Sequence, residues 1–326
     1  MSIEIRELDP ALPRTITDLL PVHQASLAVD APSYPRPTEG YLRLLTGPRP
    51  TQRRVFVAAY DAGTLIGYGA IGADVDANQD MFSGDLAVLP GRRADALVPL
   101  LDASKERARA HGAKRLVLAF AQAAPDYAPV FTAEGGRKVD IERRAQLDLK
   151  TVDREKYAAW AAPSEKNAHY RIRTWVGPTP EDLLPPLVLA AQAMRDAPTG
   201  DLEFDHPAPN VDRRRRIEQW FAAIGAHRHI IAAFTEDGTI AGLHGLFVVP
   251  GSPMAEISDT SVPAAFRGHG LGLRLKAAMT LRLLDSEPEI EVIGTWNNVD
   301  NAPMLRVNDA LGFRTAEIWE LWQFDL

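Results

Sequence analysis

The stretch Asp259-Thr260-Ser261-Val262-Pro263-Ala264-Ala265-Phe266-Arg267-Gly268-His269-Gly270-Leu271-Gly272 decides how this chain is read. It has the pattern of a strand, predicted over 255–262, that runs into a glycine-rich turn and then a helix. The helix is expected because Leu271, Leu275, Ala278 and Met279 recur at i, i+4, i+7 and i+8, which predicts one buried face running to about Leu284. Glycine leaves space where backbone N–H groups must approach an anion, and a helix start adds positive partial charge. The loop Arg267–Gly272 is therefore expected to hold a diphosphate. It is not a Walker loop, since no Gly-Lys-Ser/Thr follows, and not a dinucleotide fingerprint, since Leu273 stands three residues beyond Gly270 where glycine is required.

The rest of the composition limits the alternatives. The chain has 326 residues, enough for two ordinary domains, and its formal charge of −7 opposes general nucleic-acid binding, which needs a positive field. Arg213–Arg216 is a local basic run, expected to be the solvated face of an amphipathic helix through Ile217, Trp220, Phe221 and Ile224. There is no cysteine, which excludes disulfides, a thiol nucleophile and a thiolate metal site, and no metal is expected. The opening Met1–Glu7 alternates apolar and charged residues like a strand, and nothing approaches the roughly 18 apolar residues of a membrane span. A cytoplasmic monomer or homodimer, without a membrane or nucleic-acid partner, is the expectation.

The sequence also repeats itself. Gly63-Thr64-Leu65-Ile66-Gly67 matches Gly238-Thr239-Ile240-Ala241-Gly242, each after an apolar run, which predicts a β-hairpin in each copy. Asp85-Leu86-Ala87-Val88 with Arg93 matches Asp259-Thr260-Ser261-Val262 with Arg267, and Leu147-Asp148-Leu149 matches Phe324-Asp325-Leu326. A period of about 175 residues is a duplicated domain and not a solenoid. The predicted division is a first domain over 1–149, a linker over 150–169 with a helix in 153–162, and a second domain over 170–326. Each copy alternates strands and helices as an α/β domain with a partly antiparallel sheet. In the first copy Ala94, Asp95, Ala96 and Val98 stand where the second has Gly268, His269, Gly270 and Gly272, so the first is expected to lack a phosphate site.

Val262, the loop Arg267-Gly268-His269-Gly270-Leu271-Gly272, Asn301 before a helix, and Leu311-Gly312-Phe313 together resemble the acetyl-CoA-binding core of the GNAT superfamily of N-acyltransferases. The likeness is specific over about 55 residues, and the whole chain resembles tandem-GNAT proteins of the mycothiol synthase type of architecture. The resemblance implies a sheet splayed open between the fourth strand (255–262) and the fifth (291–296) of the second copy. Pantetheine would lie in the gap along Ser261 and Val262, with the diphosphate on Gly268–Gly272. It further implies acetyl-CoA as acyl donor and a small-molecule amine as acceptor. In many members a tyrosine five residues before the phenylalanine of Leu-Gly-Phe protonates the sulfur; here that position is Asn308, expected among the CoA-binding residues although its amide is no proton acid. Asn298, with Asn297, is placed just past the fifth strand, either to reach pantetheine or to close the turn. Asn301 is expected to cap the next helix and to contact CoA, and Met304 with Ser261 to set the width of the gap.

Direct transfer through a tetrahedral intermediate needs a base for the amine and donors for an oxyanion. Three base candidates stand open: Asp259 and Glu256 on the fourth strand and His244 on the third. Asp259 has a counterpart, Asp85, in the copy without a loop, which favours a structural role. Strand alternation puts Glu256 and Asp259 on opposite faces unless a bulge intervenes. Two other readings keep part of this picture: a non-catalytic acyl-CoA binder, and a transferase with a different acyl donor. Tyr34, Tyr41 and Tyr68 of the first copy are candidates for a wall of an acceptor site.

Overall fold

The computed structural model describes residues 3–9 and 11–326, so Met1 and Ser2 of the predicted first strand lie outside the described residues. The chain forms two compact units. One comprises the residues through Arg143 together with Thr199–Asp205 and Ala316–Leu326, and the other comprises Arg144–Pro198 and His206–Thr315.

In the first unit the elements are β1 (Glu4–Leu8), α1 (Pro13–Asp30), α2 (Glu39–Thr46), β2 (Gln52–Asp61), β3 (Thr64–Asp74), β4 (Met81–Val88), α3 (Arg93–Ala110), β5 (Arg115–Ala121), α4 (Tyr127–Ala133) and the start of β6 (Arg137–Asp148). The hairpin between β2 and β3 turns on Ala62 and Gly63, both with positive φ, the geometry that matches strand twist in a two-residue loop. β4 and β5 pair in parallel over Met81–Asp85, and β3 pairs antiparallel with β4. Helix α3 begins at Arg93 itself, so residues 94–98, aligned with the glycine loop of the other copy, are helical. Ala96 is fully buried in the core, and Arg93 turns inward to Asp30 and Asp126. Tyr41 and Tyr68 are buried, hydrogen-bonded to Tyr34 and His23.

The second unit contains α5 (Arg154–Ala161), β7 (Arg171–Val176), α6 (Leu184–Ala191), α7 (Val211–Ala223), β8 (His227–Phe234), β9 (Ile240–Val248), β10 (Met254–Ser261), α8 (Leu271–Ser286), β11 (Val292–Asn298) and α9 (Ala302–Leu311). The expected linker helix is α5, which belongs to this unit: Tyr157 is buried and donates to the Leu311 carbonyl. Leu271, Leu275 and Met279 of α8 are buried with Ile231, Leu246, Ala255 and Ile293 of the sheet. This is the face that the periodicity predicts.

The compact units cross the predicted division at their closing strands. The last strand, β12 (Arg314–Asp325), pairs antiparallel with β5 over Trp319–Asp325, and its Trp322 and Phe324 pack into the first unit against Phe120 and Phe131. Within the second unit β6 neighbours β11, and Ala145, Leu147 and Leu149 join the core with Leu311 and Phe313. The repeated Leu-Asp-Leu and Phe-Asp-Leu segments explain the exchange, since two strands with the same in-and-out pattern can complete either sheet.

Phe324→Ala removes a ring that is 1% exposed in the first unit. A loss of about 3–5 kcal/mol is expected, read by denaturant unfolding. Added protease should then cut first within 1–143, not beside the mutation.

Candidate active site

The site is built where β10 leaves its neighbour. β10 pairs with β11 in parallel only at Met254–Val292, Ala255–Ile293 and Glu256–Gly294; beyond that, among the described residues, the two strands do not pair. On its other edge β10 pairs with β9, and the register slips between Ile257 and Asp259, leaving Ser258 as the extra residue of a bulge. A bulge bends the strand that carries it, so β10 turns away from β11 where the ladder between them stops. The slip also changes the faces. Glu256 lies opposite Phe247 and Asp259 opposite Gly245, two residues apart on β9, so the two carboxylates share a face instead of opposing one another. The strand ends at Ser261, whose hydroxyl donates to the Ala190 carbonyl at 3.0 Å, while Val262 accepts at its carbonyl from Arg267 Nε at 3.0 Å.

The glycine loop follows. Gly268 and Gly270 have φ of +82° and +75°, in the left-handed region, and a Cβ on Gly268 or Gly272 would project into open space. The residues thus leave room for an anion at the start of α8, where the first-turn N–H groups lack helical partners. Arg267 also pairs with Asp196. The loop is braced from behind by the segment preceding β7. Asn167 Nδ2 donates to the His269 carbonyl at 3.1 Å, and the Tyr170 hydroxyl lies 2.6 Å from His269 Nδ1. Arg274 on α8 donates to the Asn167 carbonyl at 2.7 Å. Sequence reading missed this brace because its partners lie some 100 residues apart and carry no local pattern.

Each base candidate meets a different environment. Burial opposes charge on Asp259, but Arg214 at 3.4 Å and Arg228 at 3.0 Å outweigh it and hold the carboxyl below its ordinary value. The predicted solvated arginine face is therefore only partly solvated. Arg214 and Arg215 turn to Glu218, a carboxylate 3% exposed that also accepts from Thr179, because buried anions demand cations. His244 faces α8, 2.9 Å from Thr260 Oγ1; burial first and the Lys276 charge second push it down to about 3, so the ring is neutral near pH 7. Glu256 is half-buried at the last paired position before the strands part.

Asn297 and Asn298 end β11 instead of following it. Asn301 caps α9 by accepting from the Met304 N–H at 3.4 Å, the role that its place before Ala302-Pro303 predicts. Met304 is half-buried one turn into that helix. Asn308 is fully buried, accepts from Lys276 Nζ at 2.7 Å and donates to Asn297 Oδ1 at 2.7 Å. Both tyrosines of this unit are engaged elsewhere, Tyr157 at Leu311 and Tyr170 at His269. No helix among the described residues is long and apolar enough to cross a membrane.

Comparison with known proteins agrees with this geometry. Residues 191–313 match the model of the Acetyltransferase (GNAT) family. The fold is that of a tandem GNAT protein from the clavulanic acid biosynthesis pathway, with a TM-score of 0.82 and 24% identity over 99% of this chain and 98% of that one. A GCN5-related N-acetyltransferase from Sphaerobacter thermophilus aligns with a TM-score of 0.69 and 15% identity over 99% and 95% of the two chains. Saccharomyces cerevisiae N-myristoyltransferase with bound myristoyl-CoA aligns with a TM-score of 0.61 and 12% identity over 99% and 78%. No curated protein sequence matches.

Two outcomes test the site. Gly270→Glu puts a carboxylate and a strained left-handed residue into the cradle, and calorimetry should find CoA binding abolished while the circular dichroism spectrum is retained. Asp259→Asn should cost about 2 kcal/mol at pH 7 by leaving Arg228 without its carboxylate. Because the folded-state pKa of Asp259 is depressed, its contribution is present above the unfolded value and is lost as pH falls through the folded one, below 3.8. The variant's stability should accordingly fall less steeply than wild type in that acid range.

Proposed function

We propose that this chain, whose residues 191–313 form a domain of the acetyltransferase (GNAT) family, transfers an acetyl group from acetyl-CoA to a small-molecule amine, with the reacting site in the second unit. One observation carries the reading: the glycine loop opens α8 directly beyond the stretch where β10 parts from β11, so an anion cradle and a slot between strands lie end to end. A diphosphate on the N–H groups of Gly268–Gly272 would direct the pantetheine arm along Ser261 and Val262, toward the closed end of the slot at Glu256 and Gly294. Asn298, at the end of β11, and Met304, in the first turn of α9, would contact the arm, and Leu271, the buried first residue of α8, would lie next to the diphosphate.

For the amine proton, Glu256 is the base that the environments favour. Asp259 is held as an anion by two guanidinium groups, which lowers its basicity, and His244 binds a proton only in acid. Glu256 lies on the same face of β10 as Asp259 and, unlike Asp259, stands at the position where β10 last pairs with β11. In the first unit α3 begins at Arg93 and covers the equivalent position with helix, which supports a single acyl-CoA site in the chain.

The test is CoA release from acetyl-CoA across a panel of small amines. Turnover on at least one amine is expected, with Glu256→Gln lowering kcat at least about 100-fold while KM for acetyl-CoA changes little. Tight acetyl-CoA binding without turnover on any amine would mark a binding protein instead, and turnover confined to a longer or acidic acyl-CoA would reassign the donor.

A further inference from the structure

Lys276 has no role in the chemistry described so far, yet it is a lysine only 2% exposed in the core of the second unit. Its surroundings are His244 from β9, Asn308 from α9 and the Phe313 ring at 5.6 Å. Burial brings it down to about 7. A buried cation is costly unless it is paired or hydrogen-bonded, and the partner of Lys276 is the Asn308 amide.

Its hydrogen bonds run in one direction. An ammonium has three donors and no acceptor, so the 2.7 Å contact fixes Asn308 with Oδ1 toward the lysine. The Asn308 Nδ2 then donates at 2.7 Å to Asn297 Oδ1, and Asn297 is fixed in turn with its own NH2 as its remaining polar group. Asn308 is fully buried, whereas Asn297 is half-buried on the part of β11 that no longer pairs with β10. The chain therefore starts at a charge in the core and ends at a donor beside the slot. Each bond polarises the next, and the low dielectric of the interior preserves the effect.

We propose that Lys276, Asn308 and Asn297 form a charge-backed donor chain that presents the Asn297 amide N–H to the sulfur of CoA and stabilises it as a thiolate. The inference rests on the acyl-CoA reading above. In the transfer step the amine nitrogen forms its bond to the acyl carbon and gives its proton to the base. As the carbonyl re-forms, the C–S bond breaks and sulfur keeps the electron pair. Lys276 retains its proton throughout, and the thiolate is protonated later from water. Asn297 touches the leaving group, and Lys276 and Asn308 are positioning residues. The chain answers the absence of a proton acid at residue 308, because a stabilised thiolate leaves without one.

The thiol of bound CoA is titrated by its ultraviolet thiolate absorbance against a desulfo-CoA complex as blank, in wild type, Lys276→Met and Asn308→Asp. Below about pH 7, where Lys276 is an ammonium, wild type is expected to hold at least about ten times the thiolate fraction of free CoA at the same pH, equivalent to a thiol pKa lowered by about one unit. Lys276→Met, close in shape and apolar, should return the pKa to the free value while desulfo-CoA binds with unchanged affinity. Asn308→Asp keeps a partner for the lysine but removes the N–H, so the Asn297 amide must turn its oxygen to the slot and the thiol pKa should rise to or above that of free CoA. A bound thiol that titrates like free CoA in wild type, or one still depressed in Lys276→Met, overturns this inference alone. Failure of wild type to bind CoA overturns it together with the acyl-CoA reading.

Discussion

Everything in the second unit depends on two parallel strands that pair for three residues and then part. Backbone groups taken out of a ladder must find other partners, so such a parting persists only where something else compensates. The bulge at Ser258 supplies the bend, the pairing of β10 with β9 keeps the strand in the sheet, and β11 hands its end to α9 through Asn297 and Asn301. The result is a slot bounded by backbone at the centre of a sheet, with a helix start at its open end. That combination suits a ligand with an anionic head and an extended, amide-bearing arm.

Around this slot the charged groups are tied down. Asp259 lies between Arg214 and Arg228, and Glu218 takes Arg214, Arg215 and Thr179. The lysine on α8 has a neutral amide for a partner instead of a carboxylate. A paired carboxylate fixes structure, whereas a cation on an amide retains its field for use elsewhere. The two strand carboxylates that look alike in the sequence therefore differ in surroundings: Asp259 lies between two guanidinium groups, and Glu256 stands at the last paired position before the strands part.

The two halves are related by sequence but diverge at one helix start. α3 begins at Arg93, and Ala96 sits in the core; α8 begins after two left-handed glycines, and the matching stretch is a loop. Replacing glycine with residues that favour the right-handed helix lengthens the helix backward by one turn and removes the cradle. The closing strands follow a different logic: their in-and-out patterns are nearly the same, so local sequence places no strong preference on which sheet each completes.

By itself the sequence determined the duplication, the strand and loop order, the glycine loop before α8, the cap at Asn301 and the buried face of α8, because each rests on short-range periodicity or on a residue with one special conformation. It also separated the copy with glycines from the copy without. Only the tertiary structure decided which strand closes which unit, that Ser258 is bulged so that Glu256 and Asp259 share a face, and that Arg214 and Arg228 hold Asp259. It alone joined Tyr170 and Asn167 to the loop and aimed Lys276 through Asn308 at Asn297. These are meetings of side chains far apart in the chain, and the energy of a buried charge or hydrogen bond depends on what surrounds it in space.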